Sequence, residues 1–106
     1  MKRIRMSSKR GGMYKERYNE LTYFCLQYAQ YRRERTKYAA RRIQLIEQAL
    51  LCVDPGVAEH VKRNVTAGTR WEEMPVPMGR NQFYAERRKF FMELNRLLRK
   101  VGDQVQ

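Results

Sequence analysis

The stretch GRNQFYAERRKFFMELNRLLRKV, residues 79–101, decides how this chain is expected to fold. It contains no proline, and its apolar residues recur every three or four positions, which is the period of one helix face. That face consists of Phe83, Phe90, Leu94, Leu97, Leu98 and Val101, with Phe91 at its edge. The stretch therefore predicts a long amphipathic helix from about Arg80 to Val101, which Gly102 ends and whose apolar face is buried.

The opposite face of this predicted helix is polar and cationic, and its first turn carries side chains that suit base pairs. Arginine pairs with guanine, and asparagine or glutamine with adenine, through two parallel hydrogen bonds. We therefore predict that DNA base edges are read by Arg80, Asn81, Gln82 and, as a small residue that permits close approach, Ala85. Phosphates are predicted to be held by Arg88, Lys89, Arg96 and Arg99.

Two shorter helices are predicted before the long one. Asp54 is expected to cap the first and Pro55 to begin it, and Gly68 to end it. Its buried face is expected to carry Val57, Val61 and Val65. Thr69 followed by Glu72 has the form of a capping box, and it predicts a brief second helix that the proline-rich turn PVPMG stops. A short helix, a turn and a long basic helix together predict a helix-turn-helix region over residues 55–102.

The N-terminal half, residues 13–54, lacks glycine and proline and is expected to be helical. One apolar stripe consists of Tyr14, Tyr18, Leu21, Cys25 and Tyr28, and a second of Ala39, Ile43, Ile46, Leu50 and Val53. Between them the stripe positions fall on Arg32 and Arg35, which leaves open whether this region is one long helix or two. We favour two, with Thr36 capping the second. Residues 1–12 are predicted to be a flexible basic arm and residues 103–106 a tail.

The charge of the chain indicates the class of partner. Its 106 residues include 23 lysines and arginines against 11 acidic residues, so that the formal net charge is +12. A charge this large repels itself in the folded state, and the usual compensation is a polyanion such as nucleic acid. No apolar run is long enough to span a membrane, and the basic N-terminus lacks an apolar signal core. We therefore expect a single cytoplasmic, all-α domain without a membrane partner.

Residues for catalysis are sparse in this sequence. His60 is the only histidine, and Cys25 and Cys52 lack the spacing of metal ligands, so both thiols are expected to be ordinary buried residues. No nucleophile–base arrangement and no glycine-rich phosphate loop is apparent. We therefore expect no enzyme activity, no metal, no cofactor and no small-molecule substrate.

Two segments of the chain resemble a family of small phage proteins. The segments are MYKERYNELTYFCLQY, residues 13–28, and the chain from residue 58 to residue 98, of which GRNQFYAERRKFF, residues 79–91, is the most specific part. Both look like the ArpU/RinA-type regulators of late transcription from prophages of Gram-positive bacteria, whose C-terminal half is similar to the sigma-factor region 4 helix-turn-helix. The turn PVPMG is shorter and richer in proline than the turn of that family.

The resemblance implies a sequence-specific regulator of transcription that binds double-stranded DNA. Residues 13–53 would then be available to contact host RNA polymerase or a second copy of the chain. Two other functions fit a small basic helical protein. One is a phage-encoded, anti-CRISPR-like inhibitor of a host defence nuclease that itself binds nucleic acid. The other is a small terminase-like subunit that binds DNA during packaging.

Overall fold

The computed structural model describes residues 9–10 and 13–101, with side chains from Tyr14 onward. Over this part the protein is a small all-α domain, as predicted. Its α-helices are α1 (Lys15–Leu26), α2 (Tyr28–Glu34), α3 (Lys37–Ala49), α4 (Ala58–Ala67) and α5 (Arg80–Lys100). Leu50–Cys52 and Trp71–Glu73 form short 3-10 turns, and β1 (Lys9–Arg10) pairs antiparallel with β2 (Met13–Tyr14) in front of α1. The rest of the predicted basic arm, and the predicted tail, lie outside the described residues.

The N-terminal half contains three helices, where the sequence predicted one or two. The break between α2 and α3 lies at Arg35 and Thr36, between the two predicted apolar stripes. Thr36 caps α3 by accepting a hydrogen bond from the Ala39 amide at 3.0 Å. Arg35, just before this cap, adopts the left-handed conformation with φ of 55°. The break between α1 and α2 falls at Gln27, where neither glycine nor proline marks it. The break between α1 and α2 could therefore not be predicted from the sequence.

The predicted start of α4 is wrong by three residues. The Asp54 carboxylate accepts the Gly56 amide at 2.8 Å, and the Asp54 carbonyl accepts the Val57 amide at 3.0 Å. Asp54 therefore closes a turn around Pro55 and Gly56 instead of capping a helix, and Val57 occupies the N-cap position. The end of α4 is confirmed, since Gly68 is its left-handed cap with φ of 75°.

The connection from α4 to α5 differs from the predicted helix-turn-helix. The Glu73 carboxylate accepts the Arg70 amide at 3.0 Å, so the capping interaction lies one residue later than the predicted pair of Thr69 and Glu72. The segment that it opens is a single 3-10 turn, and the whole connection runs over residues 68–79. A tight helix-turn-helix joins its helices by three or four residues. The helix-turn-helix is therefore not confirmed and stays a prediction.

The core is built on the apolar face of α5. Phe83, Phe90, Leu94, Leu97 and Leu98 are buried as predicted, and Phe91 is buried as well, whereas Val101, which was predicted on the same face, is exposed. Burial of each phenylalanine contributes about 1.5–3 kcal/mol. The buried stripes of α1, α3 and α4 pack on this face, including the predicted Val57, Val61 and Val65. This packing leaves the opposite face of α5 toward solvent.

None of the helices in the described residues is long and apolar enough to cross a membrane.

Candidate nucleic-acid interface

The outward face of α5 forms an open groove of about 860 Å³. All of its lining residues belong to α5 except Cys52, which comes from the 3-10 turn after α3. The lining includes the four predicted phosphate-binding residues, Arg88, Lys89, Arg96 and Arg99, together with Ala85. Because so little of the lining comes from other elements, a long stretch of this helix is accessible from outside.

The predicted base-reading residues lie at the start of the same face, with one exception. Asn81 and Gln82 are exposed in the first turn of α5. Asn81, Ala85 and Arg88 follow the spacing of four and three residues that places side chains above one another on a helix. Arg80 is exposed on a different side, with its guanidinium 5.7 Å from the centre of the Tyr84 ring. Five of the eight predicted residues thus line the groove, Asn81 and Gln82 are exposed before it in the first turn of α5, and Arg80 lies on a different side.

Two of the four predicted phosphate-binding cations are paired with glutamates one turn earlier. The Lys89 ammonium lies 2.9 Å from the Glu86 carboxylate, and the Arg96 guanidinium lies 2.7 Å from the Glu93 carboxylate. The hydrogen bond to Glu86 raises the pKa of Lys89, and the hydrogen bond from Arg96 lowers the pKa of Glu93. These pairs are exposed and contribute little stability. Their main effect is to reduce the free charge on one side of the groove.

The other two cations, Arg88 and Arg99, have no ion-pair partner in the part of the chain that the structure describes. Both are exposed. They are eleven positions apart, which is close to three helical turns, so they lie on the same side of α5 and roughly 16 Å apart along it. The groove therefore presents two free guanidinium groups in one line, with two neutralised cations beside them.

Arg87, which precedes Arg88, points inward. Its guanidinium lies 5.7 Å from the ring centre of Tyr18, 5.2 Å from that of Tyr84 and 5.4 Å from that of Phe91. Its Nε is buried and has no hydrogen-bond partner. The aromatic rings thus hold this cation by cation–π contact, and it belongs to the packing of α5 and not to the groove.

The two cysteines differ in exposure, which corrects the prediction that both are buried. Cys25 is buried in the core, whereas Cys52 is exposed at the edge of the groove. The Cys52 thiol lies 3.5 Å from the Lys89 carbonyl oxygen. Desolvation raises the pKa of both thiols, so neither is activated as a nucleophile. The sequence missed the exposure of Cys52 because the helical stripe of α3 gives way to a 3-10 turn at Leu50.

A metal site is not formed by the described residues, among which no three histidine, cysteine, aspartate or glutamate side chains gather.

Comparison with known proteins finds no matching family model, no matching curated protein and no matching solved structure. The resemblance to phage regulators of late transcription therefore stays a prediction.

Proposed function

We propose that this protein binds double-stranded DNA through the outward face of α5 and regulates transcription in the cytoplasm of a bacterial host. The observation that carries the proposal is the open groove of α5, with two free arginines in one line along it. An α-helix with its side chains is about 10–12 Å wide, and the major groove of B-DNA is about 12 Å wide. A helix whose outer face is uncovered over several turns fits such a groove.

Within this proposal the first turn of α5 and the turns that follow it have different roles. Asn81 and Gln82 lie in the first turn, where exposed amide side chains pair with adenine edges. Arg88 and Arg99 contact phosphates, which position the helix without reading sequence. Ala85, between these groups, has a short side chain and allows the helix to approach the bases closely.

Glu86 and Glu93 orient the helix in this complex. They are seven positions apart and therefore lie on the same side of α5, next to the turn that contains Cys52. Carboxylates repel phosphates, so this side is disfavoured as the one that faces the DNA backbone. The line of Arg88 and Arg99 is then the preferred side for phosphate contacts.

The experiment that tests the proposal is fluorescence anisotropy with a pool of promoter DNA and a shuffled control, repeated over a range of salt. We expect a subset of sequences to bind at least ~10³-fold more tightly than the control, with a salt slope that reports several phosphates. Equal binding to all DNA would contradict sequence-specific regulation. Absence of binding at physiological salt would favour a protein partner, as for an inhibitor of a defence nuclease.

Cys52 provides an independent measurement of where DNA binds. It is the exposed one of the two thiols and lies at the edge of the α5 groove. An α-helix in the major groove has a DNA strand along each of its edges, so we expect bound duplex to slow alkylation of Cys52 by a maleimide even though the preferred phosphate contacts lie on the other side. The buried Cys25 stays unreactive with or without DNA. Unchanged alkylation in a saturated complex would place the DNA elsewhere on the protein.

A further inference from the structure

A second cationic surface lies where α2 meets α3. Glu34 is the only acidic residue between positions 30 and 42, and its carboxylate accepts a hydrogen bond from Gln30 at 3.1 Å. Four exposed cations without an ion-pair partner among the described residues form this surface, which we name the α2–α3 corner: Arg33, Arg35, Lys37 and Arg41.

Two neighbouring arginines are excluded from the corner because each interacts with another side chain of the domain. Arg32 lies near Glu47, and its charge contributes to lowering the pKa of that carboxyl group. Arg42 packs over the rings of Tyr38 and Tyr31, with its guanidinium 4.5 Å and 5.5 Å from their centres. Of the four corner residues, Arg41 donates a hydrogen bond to the Gln44 side chain at 3.3 Å, and none has a carboxylate or an aromatic ring as a partner among the described residues.

The conformation of Arg35 argues against a purely structural role for this residue. With φ of 55° it occupies the left-handed region, which disfavours side chains with a β-carbon and is usually filled by glycine or asparagine at a helix end. Folding alone would therefore be served better by glycine. The position nevertheless carries a long cation that extends into solvent.

The corner is close to the C-terminal end of α5. A groove of about 190 Å³ is lined by Tyr38 and Arg41 from α3 and by Leu98 and Val101 from the end of α5. Arg99 lies in the same last turn of α5. Arg41 therefore places the corner next to the C-terminal end of α5, on the side of Leu98 and Val101, which do not line the α5 groove.

We propose that the α2–α3 corner binds a second stretch of the DNA phosphate backbone, separate from the stretch that α5 contacts. The helix α5 is roughly 31 Å long, so the corner reaches phosphates well away from the bases at the first turn of α5. This inference shares with the proposed function only the assumption that duplex DNA is the partner. It rests on different residues, and so the two can fail separately.

The test removes two charges from the corner and two from a control region. The corner variant is Arg33→Gln with Arg41→Gln. The control is Arg63→Gln with Arg70→Gln, which are exposed residues outside both surfaces, and Arg70 is paired with Glu73 at 3.4 Å. Both variants lower the net charge equally. Binding to a random-sequence duplex of about 24 base pairs is measured by anisotropy from low to high salt, and circular dichroism verifies the fold.

We expect the corner variant to lower the slope of log K against log salt by about 2, since each lost phosphate contact lowers it by about 0.9. The control should leave the slope unchanged. A slope in the corner variant equal to that of the control would overturn the inference. If the salt slope falls in the corner variant but not in Arg88→Gln with Arg99→Gln, the inference about the corner is supported. The proposed phosphate contacts of α5 are then contradicted.

The variant Arg35→Gly distinguishes the effect of the Arg35 charge on DNA binding from the effect of its backbone conformation on stability. Glycine relieves the left-handed strain, so the variant should have a higher Tm than the wild type and still lose about one phosphate contact from the salt slope. A higher Tm with an unchanged slope would show that Arg35 does not contact DNA, and it would remove this residue from the proposed surface.

Discussion

The α5 groove and the α2–α3 corner are both cationic, but they differ in how their charges are balanced. In the groove, Lys89 and Arg96 each have a glutamate one turn earlier. In the corner, the four cations have no carboxylate partner among the described residues. A paired cation is held in a fixed direction, whereas a free cation attracts any phosphate. The groove therefore offers free cations only along the line of Arg88 and Arg99, which restricts where phosphates bind, whereas every cation of the corner is free to attract phosphate.

The largest expected effect comes from reversing the free charges of the groove. Arg88→Glu with Arg99→Glu replaces two attractions by two repulsions, and at about 1 kcal/mol for each charge pair in water the affinity should fall by roughly 4 kcal/mol. Isothermal titration or anisotropy at low salt measures this loss. The control with the same change in net charge is Arg63→Glu with Arg70→Glu. Equal losses in the two variants would mean that only net charge matters and that the groove has no special role.

A smaller effect is expected at the first turn of α5, where the proposed contacts recognise bases and do not involve charged side chains. Asn81→Ala should reduce the preference for the best duplex over a shuffled one by about 1–3 kcal/mol and leave binding to the shuffled duplex unchanged. Competition binding with the two duplexes measures this preference. A uniform loss for both duplexes would assign Asn81 to backbone contact. Arg80→Ala is the informative comparison, because that side chain lies on a different side of the helix.

Removing the glutamate partner of Arg96 leaves this cation free, as the cations of the corner are. Glu93→Gln removes the ion pair with Arg96, so we expect tighter binding to all DNA and a salt slope that is larger by about 0.9. The ratio between specific and shuffled duplexes should fall. Anisotropy with both duplexes over a range of salt measures slope and ratio together. An unchanged slope would show that Arg96 does not reach a phosphate even when it is free.

The smallest effect concerns the contact that joins α2, α3 and α4 at Glu47, away from both cationic surfaces. The Glu47 carboxylate accepts a hydrogen bond from the Tyr28 hydroxyl at 2.5 Å and lies 2.7 Å from the Lys62 ammonium, which joins α2, α3 and α4. Burial opposes ionisation of Glu47, but the hydrogen bonds from Lys62 and Tyr28 outweigh it and hold the pKa of Glu47 below its ordinary value of 4.5.

A carboxyl group with a lowered pKa in the folded state contributes stability that is present above its unfolded pKa and is lost as pH falls through the folded one. The wild type should therefore be more stable than Glu47→Gln above about pH 4.5, and the difference should disappear in more acidic solution. Urea unfolding at several pH values measures this. A difference that persists at low pH would mean that packing, and not charge, explains the role of Glu47.

The sequence predicted α5 accurately because a single physical signal covers its whole length. Glycine precedes it, no proline interrupts it and the phenylalanines and leucines keep one helical period from Phe83 to Leu98. The sequence also placed the cap at Thr36 and the end of α4 at Gly68, since both depend on one residue and its immediate neighbours. Local chemistry of this kind can be predicted from a single sequence.

The features that were predicted wrongly or not at all depend on competition between two local structures or on contacts with residues far away in the sequence. Asp54 suits a helix cap and a turn equally well, and the turn prevails. The break at Gln27 has no local marker at all. The glutamate partners of Lys89 and Arg96 could have been predicted from their spacing of three residues, but the inward direction of Arg87 depends on Tyr18 of another helix.

The inward direction of Arg87 has a consequence for the rotation of α5 about its own axis. Neighbouring residues on a helix point about 100° apart, so the aromatic rings that hold Arg87 also determine where Arg88 points. If α5 were rotated by about 100°, so that Arg87 pointed where Arg88 points now, Arg87 would lose its aromatic rings and Arg88 would turn away from the groove. In this way the partly buried Arg87 side chain determines the direction of the exposed Arg88 side chain beside it.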